Sequence, residues 1–304
     1  MSSTPPNPAA PVSTPAAAPA PRRPGTQYAL VVQRTEQLTP HLLRVHFAGE
    51  GVAAWIAAAD PDRLAATDTY AKVLFARREV GLTAPYDLEV LRETVPLEDL
   101  PSRRTYTIRD VDAAASTLAI DFVVHGDEGV AGPWAQAAQA GDAISASVPG
   151  GAFAPSDDVT LPRLLLGDDS AIPAIAAALE AMPAGAQGVA IIEVESAAEE
   201  LELAHPEGID LRWLHRAGAG DDGATATAGL PLVAAARALP APTGPVEVFA
   251  HGERGAMKEL RRLINGEWGV DRSLLSLSAY WALGRAEDAF QAEKREPIGQ
   301  IFEG

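Results

Sequence analysis

Two folds in series are predicted for this 304-residue chain: an antiparallel, Greek-key-type β-barrel over residues 26–155, then a doubly wound α/β domain over 156–304. Three observations carry that reading. About six short alternating or β-branched runs fill the first half, as the strands of a closed barrel do. In the second half, short apolar runs alternate with helical stretches, the pattern of parallel strands joined by crossovers. Hydrophobic residues make up 47% of the chain, ample for two cores at this length.

Residues 1–25 hold eight prolines among Ala, Ser and Thr, a composition that cannot bury apolar surface, so an extended tail without fixed structure is expected. Arg22 and Arg23 form a pair, but the apolar stretch of an export signal does not follow. From Tyr28, YALVVQRTEQLTPHLLRVHFAGE reads as two alternating runs about a polar turn at 35–40, a hairpin. A short segment containing Trp55 follows, then strands at 70–75, 106–109, 118–124 and 143–148. Closing them into a barrel removes exposed edges.

Past Phe153 the period changes. Residues 161–166 form a short apolar run, as in a strand buried on both faces. A helix at 173–182, strands at 189–194 and 209–214, a helix at 230–239, a strand at 246–250, a helix at 255–265, a strand at 276–281 and a polar helix at 285–295 complete the pattern. Residues 217–229, AGAGDDGATATAG, read as a surface loop.

Composition excludes several chemistries. With no cysteine there is no disulfide, thiol nucleophile or cysteine-held iron-sulfur or zinc centre. A formal net charge of −17 repels nucleic acid and anionic membranes. No apolar run is long enough to span a bilayer, and the N-terminus lacks the core of a signal peptide, so a cytoplasmic location is expected; a monomer is also expected. His41, His46, His205, His215 and His251 show no ligand spacing, and no metal site is expected.

The chemistry concentrates in residues 103–135, RRTYTIRDVDAAASTLAIDFVVHGDEGVAGPWA. Its Arg-x-Tyr-Thr unit combines a fork for a pyrophosphate, a ring that packs on a flat heterocycle and a hydroxyl for a polar ring edge. That set suits a flavin. A strand then runs to His125, and Gly126, Gly129 and Gly132 allow close backbone approach before a helix expected to open at Pro133. The free amides of its first turn face an anion. Residues 167–175, GDDSAIPAI, form a strand-to-helix turn where a doubly wound sheet binds nucleotides, although they lack the G-x-G-x-x-G fingerprint. Glu193 and Glu195 end the next strand, where a carboxylate accepts from an adenosine ribose and repels a 2′-phosphate, which leans towards NADH.

RTYTIR, DFVVHG and GVAGPWA, with DTYAKVLF (68–75) upstream and GDDSAIP (167–173) and YWALG (280–284) downstream, resemble the siderophore-interacting protein family over roughly residues 26–290. Its members are flavin-dependent ferric-siderophore reductases related in fold to ferredoxin-NADP reductases. The resemblance implies FAD held by Arg104, Thr105, Tyr106, Thr107, His125, Gly126, Gly129, Ala131, Gly132, Trp134, Asp168 and Ser170. It places Gly167, Asp169 and Trp281 on the nicotinamide side, and Lys72, Arg103, Arg109 and Arg254 around a ferric siderophore. NADH or NADPH is the implied donor, with ferredoxin as the alternative.

Three departures matter. Gly132 and Pro133 stand where the family often has Ala and a hydroxyl residue, Asp169 and Ser170 replace Glu and Thr, and Ala282 replaces a basic residue. The expected function is electron transfer from NAD(P)H through FAD to a ferric siderophore, releasing Fe(II), with no side chain acting as acid, base or nucleophile. Two alternatives stay open: a related flavin- or ferredoxin-linked reductase with another acceptor, and a siderophore-binding module without catalysis.

Overall fold

Alternation of apolar and polar residues carries the first half of the chain into a closed barrel. Its strands are β1 (Tyr28–Thr39), β2 (Leu42–Ala48), β3 (Tyr70–Phe75), β4 (Ser102–Asp112), β5 (Thr117–Val123) and β6 (Ala143–Ala146), in the order β1-β2-β5-β4-β3-β6. Leu30, Val32, Val45, Phe47, Val73, Phe75, Ile120 and Phe122 point inward, none more than 2% exposed. Each such side chain contributes about 1.5–3 kcal/mol by leaving water. The computed structural model describes residues 26–124, 126, 129–216, 228–294 and 296–302. The expected tail, His125 and most of the 217–229 loop lie outside them.

The first hairpin is tighter than its polar run predicts. Thr35, Glu36 and Gln37 remain in β1, paired with Val45, Arg44 and Leu43, so only Pro40 and His41 turn the chain. That end of β1 is polar because it is exposed, and the Arg34–Glu36 ion pair at 2.7 Å lies along it. Three short connecting helices also go unsignalled by periodicity: α1 (Glu50–Ala58), α2 (Pro61–Ala65) and α3 (Leu88–Thr94). The first buries Val52 and Trp55, and the Trp55 indole donates to the Ser147 carbonyl at 2.6 Å. In the third, Asp87 caps the helix by accepting from the amides of Glu89 and Val90, both at 3.1 Å. Helix α4 (Ala131–Gln136) opens two residues before Pro133.

The second half is a parallel sheet of β7 (Arg163–Asp168), β8 (Gly188–Val194), β9 (Ile209–His215), β10 (Glu247–Glu253) and β11 (Leu275–Trp281), ordered β11-β10-β7-β8-β9. Helix α5 (Ile172–Ala181) covers one face, while α6 (Leu230–Ala238) and α7 (Arg254–Arg261) cover the other. The order reverses between β7 and β10, and their carboxyl ends therefore flank a crevice. Arg163 interrupts the apolar start of β7, and its buried guanidinium is matched by Glu247 at 3.0 Å. The predicted 255–265 helix changes character at Arg262, where a π-helical turn of residues 262–267 takes over. A last helix, α8 (Glu287–Glu293), packs Phe290 inward against Ala279 and Ala282.

The two folds share an apolar seam. Leu42 of β2 is buried in the cluster formed by Ile172, Ile175 and Phe249 of the α/β domain. A polar contact flanks it: Arg109 donates to Glu180 at 3.0 Å. Among the described residues, no helix is long and apolar enough to cross a membrane.

Candidate active site

Strand pairing builds the first wall of the site. In the β3–β4 ladder Tyr70 faces Thr107, Lys72 faces Thr105 and Leu74 faces Arg103, while Ala71, Val73 and Phe75 face Tyr106, Arg104 and Ser102. Opposed residues share a face, and that face alternates along the strand. The Tyr106 ring packs 4.5 Å from Phe122 and 6.0 Å from Phe75. Burial pushes its hydroxyl pKa up, so the ring is a neutral wall.

The ladder borders a cleft of about 780 Å³ between barrel and α/β domain, lined by Arg104, Thr105, Tyr106, Thr107 and Gly126 on one side and Asp169, Ser170, Tyr280 and Trp281 on the other. Lys72 lines it too, and also lines a second cleft of about 840 Å³ with Arg92, Arg103, Leu74, Leu97 and Leu100. One ladder thus runs from cleft to cleft, with the Lys72–Thr105 pair at the border.

In the glycine turn the backbone itself calls for glycine at two positions. Gly126 and Gly129 have φ of +52° and +81°, values that a Cβ would strain. Trp134 sits in the barrel core, 5.4 Å from Phe75, and lines neither cleft. Ala131 is likewise buried in that core.

At the crevice, Gly167 is obligatory for packing: a Cβ there would lie 2.7 Å from both Ala171 Cβ and Ile175 Cδ1. Asp169 and Ser170 line the cleft, whereas Asp168 is 1% exposed and lines neither. The Asp168 carboxylate accepts from Ser170 N at 3.0 Å, Glu253 N at 2.7 Å and Trp281 Nε1 at 2.8 Å. Burial, then the Asp169 charge, pushes its pKa up to about 7, against the pull of the Ser170, Trp281 and Glu253 donors.

Further expected placements also differ. Glu193 is fully buried and accepts from the amides of Gly229 at 2.7 Å and Leu232 at 2.9 Å, so it fastens the start of α6 and cannot meet a ribose. Arg109 and Arg254 line neither cleft, because Glu180 holds the first and Glu293 the second, with Phe290 5.8 Å beneath the Arg254 guanidinium.

Other residues enter only through the structure. Arg216, at the end of β9, lines the cleft and pairs with Asp169 at 2.6 Å and Glu193 at 3.4 Å. An arginine just past the third parallel strand was its signal. Lys294 lines the cleft beside Glu287 and Gln291 of α8, and burial pulls its pKa down, with Glu287 opposing and Lys72 adding. His41, Glu195 and Glu199 bring ligand-type atoms within 4.8 Å of one another. Sequence spacing hides this group because His41 is in a barrel turn and its partners are in the α/β domain.

Comparison with known proteins agrees with this geometry. A family model described as the siderophore-interacting FAD-binding domain matches residues 31–153, and one for the siderophore-interacting protein matches 162–284. The chain belongs to the siderophore-interacting protein family. An uncharacterised relative from Mycobacterium tuberculosis is 41% identical over 88% of this chain and 95% of its own. The ferric vibriobactin reductase ViuB of Vibrio cholerae is 30% identical over 88% and 94%. A solved siderophore utilization protein from T. fusca superposes with a TM-score of 0.70 at 35% identity, covering 86% of this chain and 94% of that one.

FAD is the cofactor of this family's barrel domain. The residues present fit it: the cleft lies within the size range of small-molecule and cofactor sites, its rim carries a guanidinium and two threonines, and Gly126 on its edge has a positive φ that keeps that edge free of a side chain.

Proposed function

We propose that this protein is a flavin-dependent reductase that passes electrons from NAD(P)H to a ferric siderophore and so releases Fe(II). The observation that carries the reading is Lys72, whose ladder position borders both clefts. A ferric chelate drawn to Lys72 and Arg103 in the second cleft sits at the edge of the first. In a chain of net charge −17, an anionic chelate needs such local cations.

Arg104 holds a phosphate of the cofactor, Thr105 and Thr107 meet the polar edge of its ring system, and Tyr106 supplies a flat apolar wall. Bound FAD supplies the conversion of a two-electron donor into one-electron steps. One nicotinamide hydride reduces two ferric ions, one electron each, and leaves one proton. Fe(II) is held less tightly than Fe(III) by the hard oxygen donors of a siderophore, so reduction frees it. Asp169, Ser170 and Trp281 form the nicotinamide side. With Glu193 buried, only Glu195 is left to disfavour a 2′-phosphate, and the leaning towards NADH loses half its basis.

The test is anaerobic. NADH and NADPH are added separately to FAD-loaded protein with a ferric siderophore and an Fe(II) chelator, and flavin bleaching and Fe(II) are followed together. Bleaching followed by Fe(II) supports the reading. Bleaching by dithionite but by neither nucleotide makes a protein donor such as ferredoxin the better assignment. Fe(II) formation no faster with the siderophore than with a simple ferric salt moves the acceptor elsewhere.

A further inference from the structure

Arg104 is not a free arginine waiting for an anion. Its Nη1 donates to the Asp288 carboxylate at 2.8 Å and to the Arg103 carbonyl at 2.9 Å, and Nη2 lies 3.5 Å from the other Asp288 oxygen. The Arg104 side chain is 15% exposed, and among the described residues no partner meets its Nε. One edge of the guanidinium is therefore taken and another remains for a ligand in the cleft that Arg104 lines.

We propose that Asp288 is a positioning residue for the phosphate-binding arginine, which makes helix α8 part of the cofactor site. This helix lies beyond residue 284, where the family match ends. Its anchorage gives the carboxylate a fixed place. Phe290 is 1% exposed, and Glu293 holds Arg254 and Arg285. Glu287 and Gln291 of the helix line the first cleft while Asp288 lines the second, so α8 is the partition between them.

Two effects of Asp288 oppose each other. A carboxylate beside the guanidinium adds negative charge near an incoming phosphate, but Asp288 is 74% exposed, and water and salt screen that repulsion. Holding a long, rotamer-rich side chain in its binding orientation removes an ordering cost that phosphate binding would otherwise meet. The second effect dominates, because the arginine side chain is mostly covered while its partner is exposed to screening solvent.

The experiment uses the full chain freed of flavin and measures affinities for FAD and for riboflavin, which has no phosphate, by flavin fluorescence. Asp288→Asn should weaken FAD binding by about five- to tenfold, the scale of ordering one such side chain, and leave riboflavin unchanged. Asp288→Glu should recover most of the loss. In an Arg104→Lys background, Asp288→Asn should have no further effect on FAD, since the fork it orients is gone. Tighter FAD binding by Asp288→Asn would overturn the proposal in favour of competition. An unchanged affinity, an equal loss for riboflavin, or the same loss in the Arg104→Lys background would overturn it too, leaving α8 a structural cap. None of these outcomes depends on which acceptor receives the electrons.

Discussion

The indole N–H of Trp281 donates to the buried carboxylate of Asp168 at 2.8 Å, tying the end of β11 to the end of β7 across β10. This contact sets the orientation of an aromatic side chain that lines the cofactor cleft. Its pH dependence follows from the raised pKa of about 7. The unfolded value is about 3.9, so between the two the native chain holds a proton that the unfolded chain has lost. The stabilising contribution is complete below the unfolded value and is lost as pH rises through about 7. Urea midpoints across about pH 5 to 8 should show this decline in the wild type and a flatter profile in Asp168→Asn. Parallel profiles would refute the assignment.

A second prediction concerns the seam between the folds. Glu199 accepts from the Thr39 hydroxyl, from His41 N at 3.2 Å and contacts His41 Nδ1 at 2.8 Å. Replacing it with Gln sets an amide against these donors, at a cost of about 1–3 kcal/mol for a buried group left imperfectly paired. Denaturant unfolding measures the loss, and a change under about 0.5 kcal/mol would show that the Glu199 contacts add nothing to the hold of the seam.

Arg216 is predicted to be structural before it is functional. It neutralises Asp169 and the fully buried Glu193. Arg216→Ala leaves those carboxylates without their cation and should cost about 3–5 kcal/mol. Arg216→Met in a Glu193→Gln background should cost much less. Similar losses in the two variants would mean that packing, not charge, explains the site.

Lys72 is predicted to act on the acceptor through charge. Lys72→Ala should raise KM for an anionic ferric chelate by roughly tenfold at low salt, and by less as salt rises, while a neutral chelate is little affected. Steady-state kinetics at two ionic strengths decide it, and equal effects on both chelates would remove the electrostatic role.

Gly167→Ala should destabilise by about 1–3 kcal/mol through overpacking, because the new methyl would meet Ala171 and Ile175 at 2.7 Å. Calorimetry against a control such as Gly244→Ala, whose Cβ would have no neighbour within 4 Å, isolates the steric term.

Much of the site was legible because its parts are local. Arg104 to Thr107 occupy consecutive positions of one strand, and a strand puts consecutive side chains on opposite faces whatever surrounds it. The turn at Gly167 is readable in the same way, as the junction between an apolar run and an Ala-rich helix. The short helices α1 to α3 were not, since five to nine residues hold too few turns to display a period. Asp168 looked like a ligand by position, and only its four donors show that its oxygens are already engaged.

The sequence by itself determined the barrel, the α/β domain, their order and the strand that carries the flavin motif, because hydrophobic period and turn chemistry act over a few residues. Tertiary structure alone decided which charges are available. Asp288 reaches Arg104 from 184 positions away and Glu199 reaches His41 from 158. Ion pairs form wherever folding brings opposite charges within a few ångströms, and no local pattern records such a meeting. Hence Arg109 and Arg254, which look like substrate cations in the sequence, are held by carboxylates in the fold, while Lys72 remains at the border of both clefts.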